Sequence, residues 1–101
     1  MITYHTGNAI PLDAALDCYR ACSLGARRPV DDPDRMAAML ANANLVVSAW
    51  DGDLLVGVAR ALTDTAYVTY LADLLVRESH QGRGVGRSLI EHVRAAAPQA
   101  Q

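Results

Sequence analysis

Between Leu74-Leu75-Val76 and an amphipathic run that starts near Gly84, the chain places Gly82, Gly84 and Gly86 among Gln81, Arg83 and Arg87. An apolar strand that passes through closely spaced glycines into a helix leaves few local folds open. Glycines let the backbone approach an anion with no Cβ in the way, and the first-turn N–H groups of a helix have no partner inside it. The helix dipole adds positive potential at the same end. Arg83 and Arg87 can supply charge-assisted hydrogen bonds, each worth about 1.5 to 3 kcal/mol when well placed. The layout is that of a phosphate-binding loop; a plain strand-to-helix turn seldom needs three glycines with flanking arginines.

The rest of the chain can be read outward from this unit. Ile2 to His5 is β-prone and is followed by Gly7-Asn8, which predicts a first strand. From Pro11 the spacing of Leu12, Ala15, Leu16, Tyr19 and Ala21 or Cys22 predicts a helix ending at Gly25. After the polar connection Arg27 to Asp31, Asp32 can cap a second helix with Pro33 at its first position and Met36, Met39 and Leu40 on its apolar face. Leu45 to Trp50 and Leu54 to Leu62 are β-rich runs joined at Asp51-Gly52, a hairpin signature. A strand is expected from about Ala66 to Val76, with Tyr70, Ala72 and Leu74 on one face and Leu71, Asp73 and Leu75 on the other. Both faces are largely apolar, which predicts a central strand covered on both sides. In the helix from Gly84 to Ala97, Val85, Leu89, Val93 and Ala96 should face inward. A chain of 101 residues, 51% of them hydrophobic, suits one domain spanning residues 1–101.

Spacing excludes two common nucleotide motifs. A P-loop needs a glycine and a lysine where Gln81 and Arg87 stand, and a dinucleotide fingerprint needs its third glycine one place later than Gly86. What remains is Gln or Arg, two residues, Gly, one residue, then Gly or Ala, matched by Gln81, Gly84 and Gly86 after Leu74-Leu75-Val76. This resembles the acetyl-CoA motif of the Gcn5-related N-acetyltransferases, and the hairpin and two leading helices occur in that family's order.

The resemblance implies an α/β (α+β) fold: a mixed, mainly antiparallel sheet with helices on both faces, in the order β-α-α-β-β-β-α. Relative to the family, the C-terminal β-α-β-β part is lacking, so a truncation, natural or introduced, or a partner chain that completes the fold is expected. It further implies that acetyl-CoA (coenzyme A) is bound by Gln81, Gly82, Arg83, Gly84, Val85, Gly86 and Arg87 at its pyrophosphate, and by main-chain groups near Leu74 and Val76 at its pantetheine arm. The implied activity is transfer of the acetyl group to a primary amine, on a small molecule or a peptide, by direct attack in a ternary complex. An alternative is a non-catalytic acetyl-CoA-binding or dimerising module, since a bare edge beside residues 70 to 76 would favour a homodimer.

Acetyl transfer needs a neutral nucleophile, a positioned carbonyl and a proton for the departing thiolate, so proton-transfer groups are sought near the expected strand. Asp73 and Tyr70 are the catalytic candidates. Asp73 can be a base with a raised pKa, or it can make a structural hydrogen bond to a neighbouring loop. Tyr70 fits a core position with its hydroxyl at an edge. His80 reads as an exposed loop histidine, and Trp50 as packed on the sheet. Arg28 is the candidate for the acceptor, since in the resembled family the first two helices flank its entrance.

Composition closes other routes. Nine basic against eleven acidic residues give a formal charge of -2, which offers no general attraction to a nucleic-acid backbone or an anionic membrane. Cys18 and Cys22 lie four apart in a helical pattern, a poor disposition for a disulfide, and His5, His80 and His92 supply no metal-ligand spacing. The start lacks a signal-peptide layout and no apolar run reaches the length of a membrane span, so a cytoplasmic protein is expected.

Overall fold

The computed structural model describes residues 1–99. Four strands, β1 (Ile2–Thr6), β2 (Leu45–Asp51), β3 (Leu54–Thr63) and β4 (Thr69–Val76), form one antiparallel sheet in the order β1-β2-β3-β4. Helices α1 (Leu12–Arg20) and α2 (Pro33–Asn42) lie on one face, and α3 (Val85–Ala96) on the other. No helix among the described residues is long and apolar enough to cross a membrane.

Strand alternation explains the two cores. Val46, Leu55, Val58 and Leu75 pack with Leu16, Tyr19 and Met36 on the α1/α2 side, while Val47, Ala49, Val56 and Ala59 pack with Val85, Leu89 and Val93 of α3. Gly57 is the point of closest approach to α3: a Cβ there would stand 3.0 Å from Leu89 Cδ1 and 3.2 Å from Val85 Cγ1. The missing side chain lets α3 sit against β3. At the second helix, Asp32 accepts from the Arg35 N–H at 3.2 Å and Pro33 opens the first turn, as expected from sequence.

Several expectations need correction. The first helix stops at Arg20, and a separate 3-10 turn, Ser23–Arg27, carries the chain past Gly25. Gly25 is required there because a Cβ would collide with the backbone of Tyr19. The strand expected from Ala66 starts at Thr69, since the Asp64 carboxylate gathers the N–H groups of Ala66, Tyr67 and Val68 into a turn. After Val93 the next buried residue is Ala97, just past the end of α3, while Ala96 is exposed. β4 is not central: among the described residues it pairs only with β3, and Leu74 and Tyr70 are exposed.

The pairing of β4 also contains a bulge. Arg60 faces Asp73 and Ala61 faces Leu71, so Ala72 is the extra residue. The strict alternation expected for this strand would put Tyr70 and Asp73 on opposite faces. The bulge brings both to the α1/α2 side, with Tyr70 opposite Leu62 and Asp73 opposite Arg60.

Candidate functional site

The glycine-rich loop is held by a hydrogen-bonded platform at the end of β4. The Arg77 N–H bonds the Val56 carbonyl at 2.7 Å, and the Glu78 N–H bonds the Ala21 carbonyl at 3.0 Å, which ties the segment to both the sheet and α1's end. Arg77 also donates to the Leu55 carbonyl and to Asp17. A short 3-10 turn, Glu78–His80, then leads into Gln81. The Gln81 amide donates to the Val76 carbonyl at 2.9 Å, so this side chain closes the end of β4.

Gly82 and Gly84 both have left-handed backbones, φ +79° and +82°. Side chains rarely adopt such angles, which is the local reason for glycine at these two positions. Gly84 is the N-cap of α3 and has no side-chain capping bond. The first bond into the helix runs from the Ser88 N–H to the Gly84 carbonyl at 3.0 Å. The N–H groups of Val85, Gly86 and Arg87 therefore precede the intrahelical ladder and face the loop without a cap. Arg83 and Arg87 flank them and are exposed. Gly86 is different: its φ is ordinary, and a Cβ would meet only Val76 Cγ2 at 3.8 Å. The chain thus presents an uncapped helix N-terminus, two flanking cations and no side chain to obstruct an anion at Gly82 or Gly84.

His80 departs from its expectation as an exposed loop residue. It is 8% exposed, with Ser79 Oγ 2.8 Å from Nδ1 and Asp51 Oδ2 2.9 Å from Nε2. Its ring joins the loop platform to the turn of the β2–β3 hairpin. The His80 hydrogen bond is the main cause holding the Asp51 carboxyl below the usual range. Trp50 does pack against the α1-side core, and its indole N–H donates to Ser48 Oγ at 2.9 Å.

On the opposite face of the sheet, Asp73 is 1% exposed and accepts from three elements. The Tyr19 hydroxyl and Arg60 Nε each reach Oδ2 at 2.7 Å, and Arg28 Nε reaches Oδ1 at 2.7 Å. Burial pushes this carboxyl up, but the hydrogen bonds from Arg60, Tyr19 and Arg28 outweigh it and leave it below the ordinary range. A general base poised by a raised pKa is the opposite arrangement. Asp73 instead makes structural hydrogen bonds, one to Arg28 of the loop between the first two helices and the others to Tyr19 and Arg60.

Arg28, the sequence candidate for the acceptor, is largely spent on this cluster: it also donates to the carbonyl of Ala72, the bulge residue, at 3.2 Å, and to the Arg27 carbonyl. Tyr70 is 67% exposed rather than a core residue. Sequence reading missed Tyr19 and Arg60 as partners of Asp73, because both sat in patterns fully explained by helix and strand packing. The one available signal was a lone carboxylate in an apolar strand, which demands donors from elsewhere in the chain.

The sequence matches the acetyltransferase (GNAT) family over residues 12–101. The fold is similar to that of a GNAT-family acetyltransferase protein from Streptococcus pneumoniae TIGR4, with a TM-score of 0.79 and 25% identity, covering 99% of this chain and 70% of that one. It is also similar to an aminoglycoside 6'-N-acetyltransferase complexed with coenzyme A, with a TM-score of 0.75 and 20% identity, covering 97% of this chain and 55% of that one. At that identity the second likeness speaks for the fold alone. No curated protein sequence matches the chain.

Proposed function

The chain belongs to the acetyltransferase (GNAT) family, and we propose that it binds acetyl-CoA at the Gln81–Gly86 loop and passes the acetyl group to a primary amine by direct attack. The observation that supports this reading is the uncapped α3 N-terminus, reached through two left-handed glycines and flanked by Arg83 and Arg87. In this proposal the N–H groups of Val85, Gly86 and Arg87 receive the pyrophosphate, with Arg83 and Arg87 adding charge-assisted bonds. Main-chain groups near Leu74 and Val76 hold the pantetheine arm. The thioester supplies an activated acetyl group.

The chain's own contribution is orientation first. Holding an amine against a positioned carbonyl can reach effective molarities of about 10⁵ M or more. Asp73 is a poor proton acceptor, because its oxygens already take three donors. Its proposed role is to fix β4 against α1 and the Arg28 segment, so that the strand beside the reacting group does not move. Tyr70 is the proposed proton-transfer candidate, exposed on the same face of β4 as Asp73. Proton transfer by such a group typically adds about 10² to 10⁴, so its loss would leave weak turnover.

Titration of acetyl-CoA into isotopically labelled protein tests the reading. Amide shifts centred on residues 82 to 87 are expected. No shift at about millimolar ligand, with the protein folded, would overturn it.

A second reading has its own observation. β4 has no partner on its outer side among the described residues, and Tyr70 and Leu74 are exposed along it. Such an edge is a template for strand pairing, so a non-catalytic assembly of two copies through β4 is the alternative. Light scattering separates them: a stable dimer without turnover favours assembly, and a monomer that acetylates amines excludes it.

A further inference from the structure

Two guanidinium groups and one phenol meet at the single carboxylate of Asp73. Tyr19 is neutral in this setting, since burial and the neighbouring carboxylate both push its hydroxyl up. Arg28 and Arg60 therefore bring two positive charges against one negative charge. Their side chains are 25% and 13% exposed, so water screens the excess only in part.

The two arginines are not equally occupied. Arg28 bonds Asp73, the Ala72 carbonyl and the Arg27 carbonyl. Among the described residues the Arg60 side chain donates from Nε to Asp73 and also lies against the Tyr19 hydroxyl, which still leaves donors on its terminal nitrogens for a further acceptor. Arg60 lines a cavity of about 290 Å³ between α2 and the end of β3, together with Arg35, Met39, Asn42 and Leu62. Among the described residues, no acidic one lines this cavity. The nearby acids of the α1–α2 connection are engaged elsewhere: Asp31 pairs with Arg20, and Asp32 caps α2. Asn42 donates to the Ala38 carbonyl of its own helix. The cavity therefore joins an apolar wall from Met39 and Leu62 to two cations, one of them fixed in direction by Asp73.

We infer that this cavity is an acceptor subsite for a carboxylate, so that the amine acetylated by this chain also carries a carboxylate group received by Arg60 and Arg35. The inference rests on the acetyl-transfer reading above and names its substrate class. Location supports it: Arg60 is the cross-strand partner of Asp73, next to Leu74 on β4, the strand proposed to carry the pantetheine arm. A guanidinium with its Nε edge already aligned is preorganised to give its terminal nitrogens to a second carboxylate, and an apolar surround strengthens that bond. The amine of such an acceptor would then extend from the cavity toward β4, past Leu62 and the exposed Tyr70 opposite it.

The test uses matched pairs of amines, phenylalanine with phenylalaninamide and glycine with glycinamide, titrated into the labelled full chain. In at least one pair the acid should bind about tenfold more tightly than the amide. Its shifts should centre on Met39, Asn42, Arg60 and Leu62. Arg35→Gln alters an exposed residue with no side-chain hydrogen bond among the described residues, so it should weaken the acid severalfold more than the amide, with little change in melting temperature. Arg60→Gln should abolish the preference; should it fail to fold, Arg35→Gln still decides. Equal affinity within both pairs, shifts elsewhere, or an Arg35→Gln variant with wild-type preference overturns the inference. Acetyl-CoA is titrated in the same samples: shifts at residues 82 to 87 without acid preference sink this inference alone. Acid preference without those shifts keeps the carboxylate site and sinks acetyl transfer, and with it the role of acceptor.

Discussion

The Tyr19 hydroxyl donates to Asp73 Oδ2 at 2.7 Å and so joins α1 to β4 at a fully buried carboxylate. Because the acceptor is charged and buried, this bond is stronger than an ordinary one. Tyr19→Phe should cost about 1.5 to 3 kcal/mol in denaturant unfolding. Asp73→Asn should cost more, about 3 to 5 kcal/mol, since it leaves Arg28 and Arg60 facing each other without a counter-charge. A loss under about 0.5 kcal/mol for Asp73→Asn would show that the network does not hold the sheet to α1.

The same carboxylate sets the sign of an acid effect. Its folded pKa lies below the ordinary value of 3.8. The stability it contributes is therefore fully present above that value and is lost as pH falls below it through the folded pKa. Asp64, held low by backbone N–H groups of its turn, and Asp51, held low by His80, act in the same direction. Unfolding midpoints measured from neutral pH downward should stay flat until the carboxylate range and then fall. In Asp73→Asn the fall should be shallower, and an unchanged slope would contradict the assignment.

Gly84 and Gly86 make a discriminating pair. Gly84→Ala forces a side chain into a left-handed backbone, which costs about 1 to 2 kcal/mol, and should weaken acetyl-CoA binding by moving the first turn of α3. Gly86→Ala meets only Val76 Cγ2 at 3.8 Å, and within the helix alanine is favoured over glycine by about 1 kcal/mol. It should raise the melting temperature and leave binding within about threefold. Calorimetry on both variants checks the contrast.

Gly57→Ala reaches the loop from beneath. A new Cβ would stand 3.0 Å from Leu89 Cδ1 and 3.2 Å from the Leu75 carbonyl, so the Leu89 side chain and the strand backbone must each give by a few tenths of an ångström. Overpacking of this kind typically costs about 1 to 3 kcal/mol. Reduced stability with weaker acetyl-CoA binding is expected; a wild-type melting curve would show that the close packing is not needed.

How much of this was legible in the sequence depended on range. The β2–β3 hairpin, the Asp32 cap with Pro33, and the strand–loop–helix unit at residues 74–86 were readable because each is fixed by neighbours a few residues apart. The late start of β4 was hidden in one side chain, Asp64, whose three backbone partners outcompete the ladder. The bulge at Ala72 was invisible for a different reason. A strand pattern has period two, and nothing in Tyr70-Leu71-Ala72-Asp73 announces a skipped residue; the driving contacts, from Arg28 and Arg60, come from 45 and 13 positions away. The loop's glycines were readable as an anion site, but its anchorage on His80 was not, since that ring's partner lies in a hairpin 29 residues upstream.

That anchorage yields the last prediction. Ser79 Oγ and Asp51 Oδ2 hold the two ring nitrogens of His80, and Asp51 belongs to the β2–β3 turn, so the histidine fixes the platform on which Gln81 and Gly82 begin. If the loop serves the pyrophosphate, removing the ring should affect that part of the ligand only. His80→Ala should weaken coenzyme A by about tenfold while leaving pantetheine, which lacks the pyrophosphate, within about twofold. A general loss of stability would lower both alike, so the ratio of the two affinities separates positioning from unfolding. His80→Gln keeps a group that can bond Asp51 and should restore part of the difference. Equal losses for coenzyme A and pantetheine in His80→Ala would show that the ring supports the fold as a whole and not the loop.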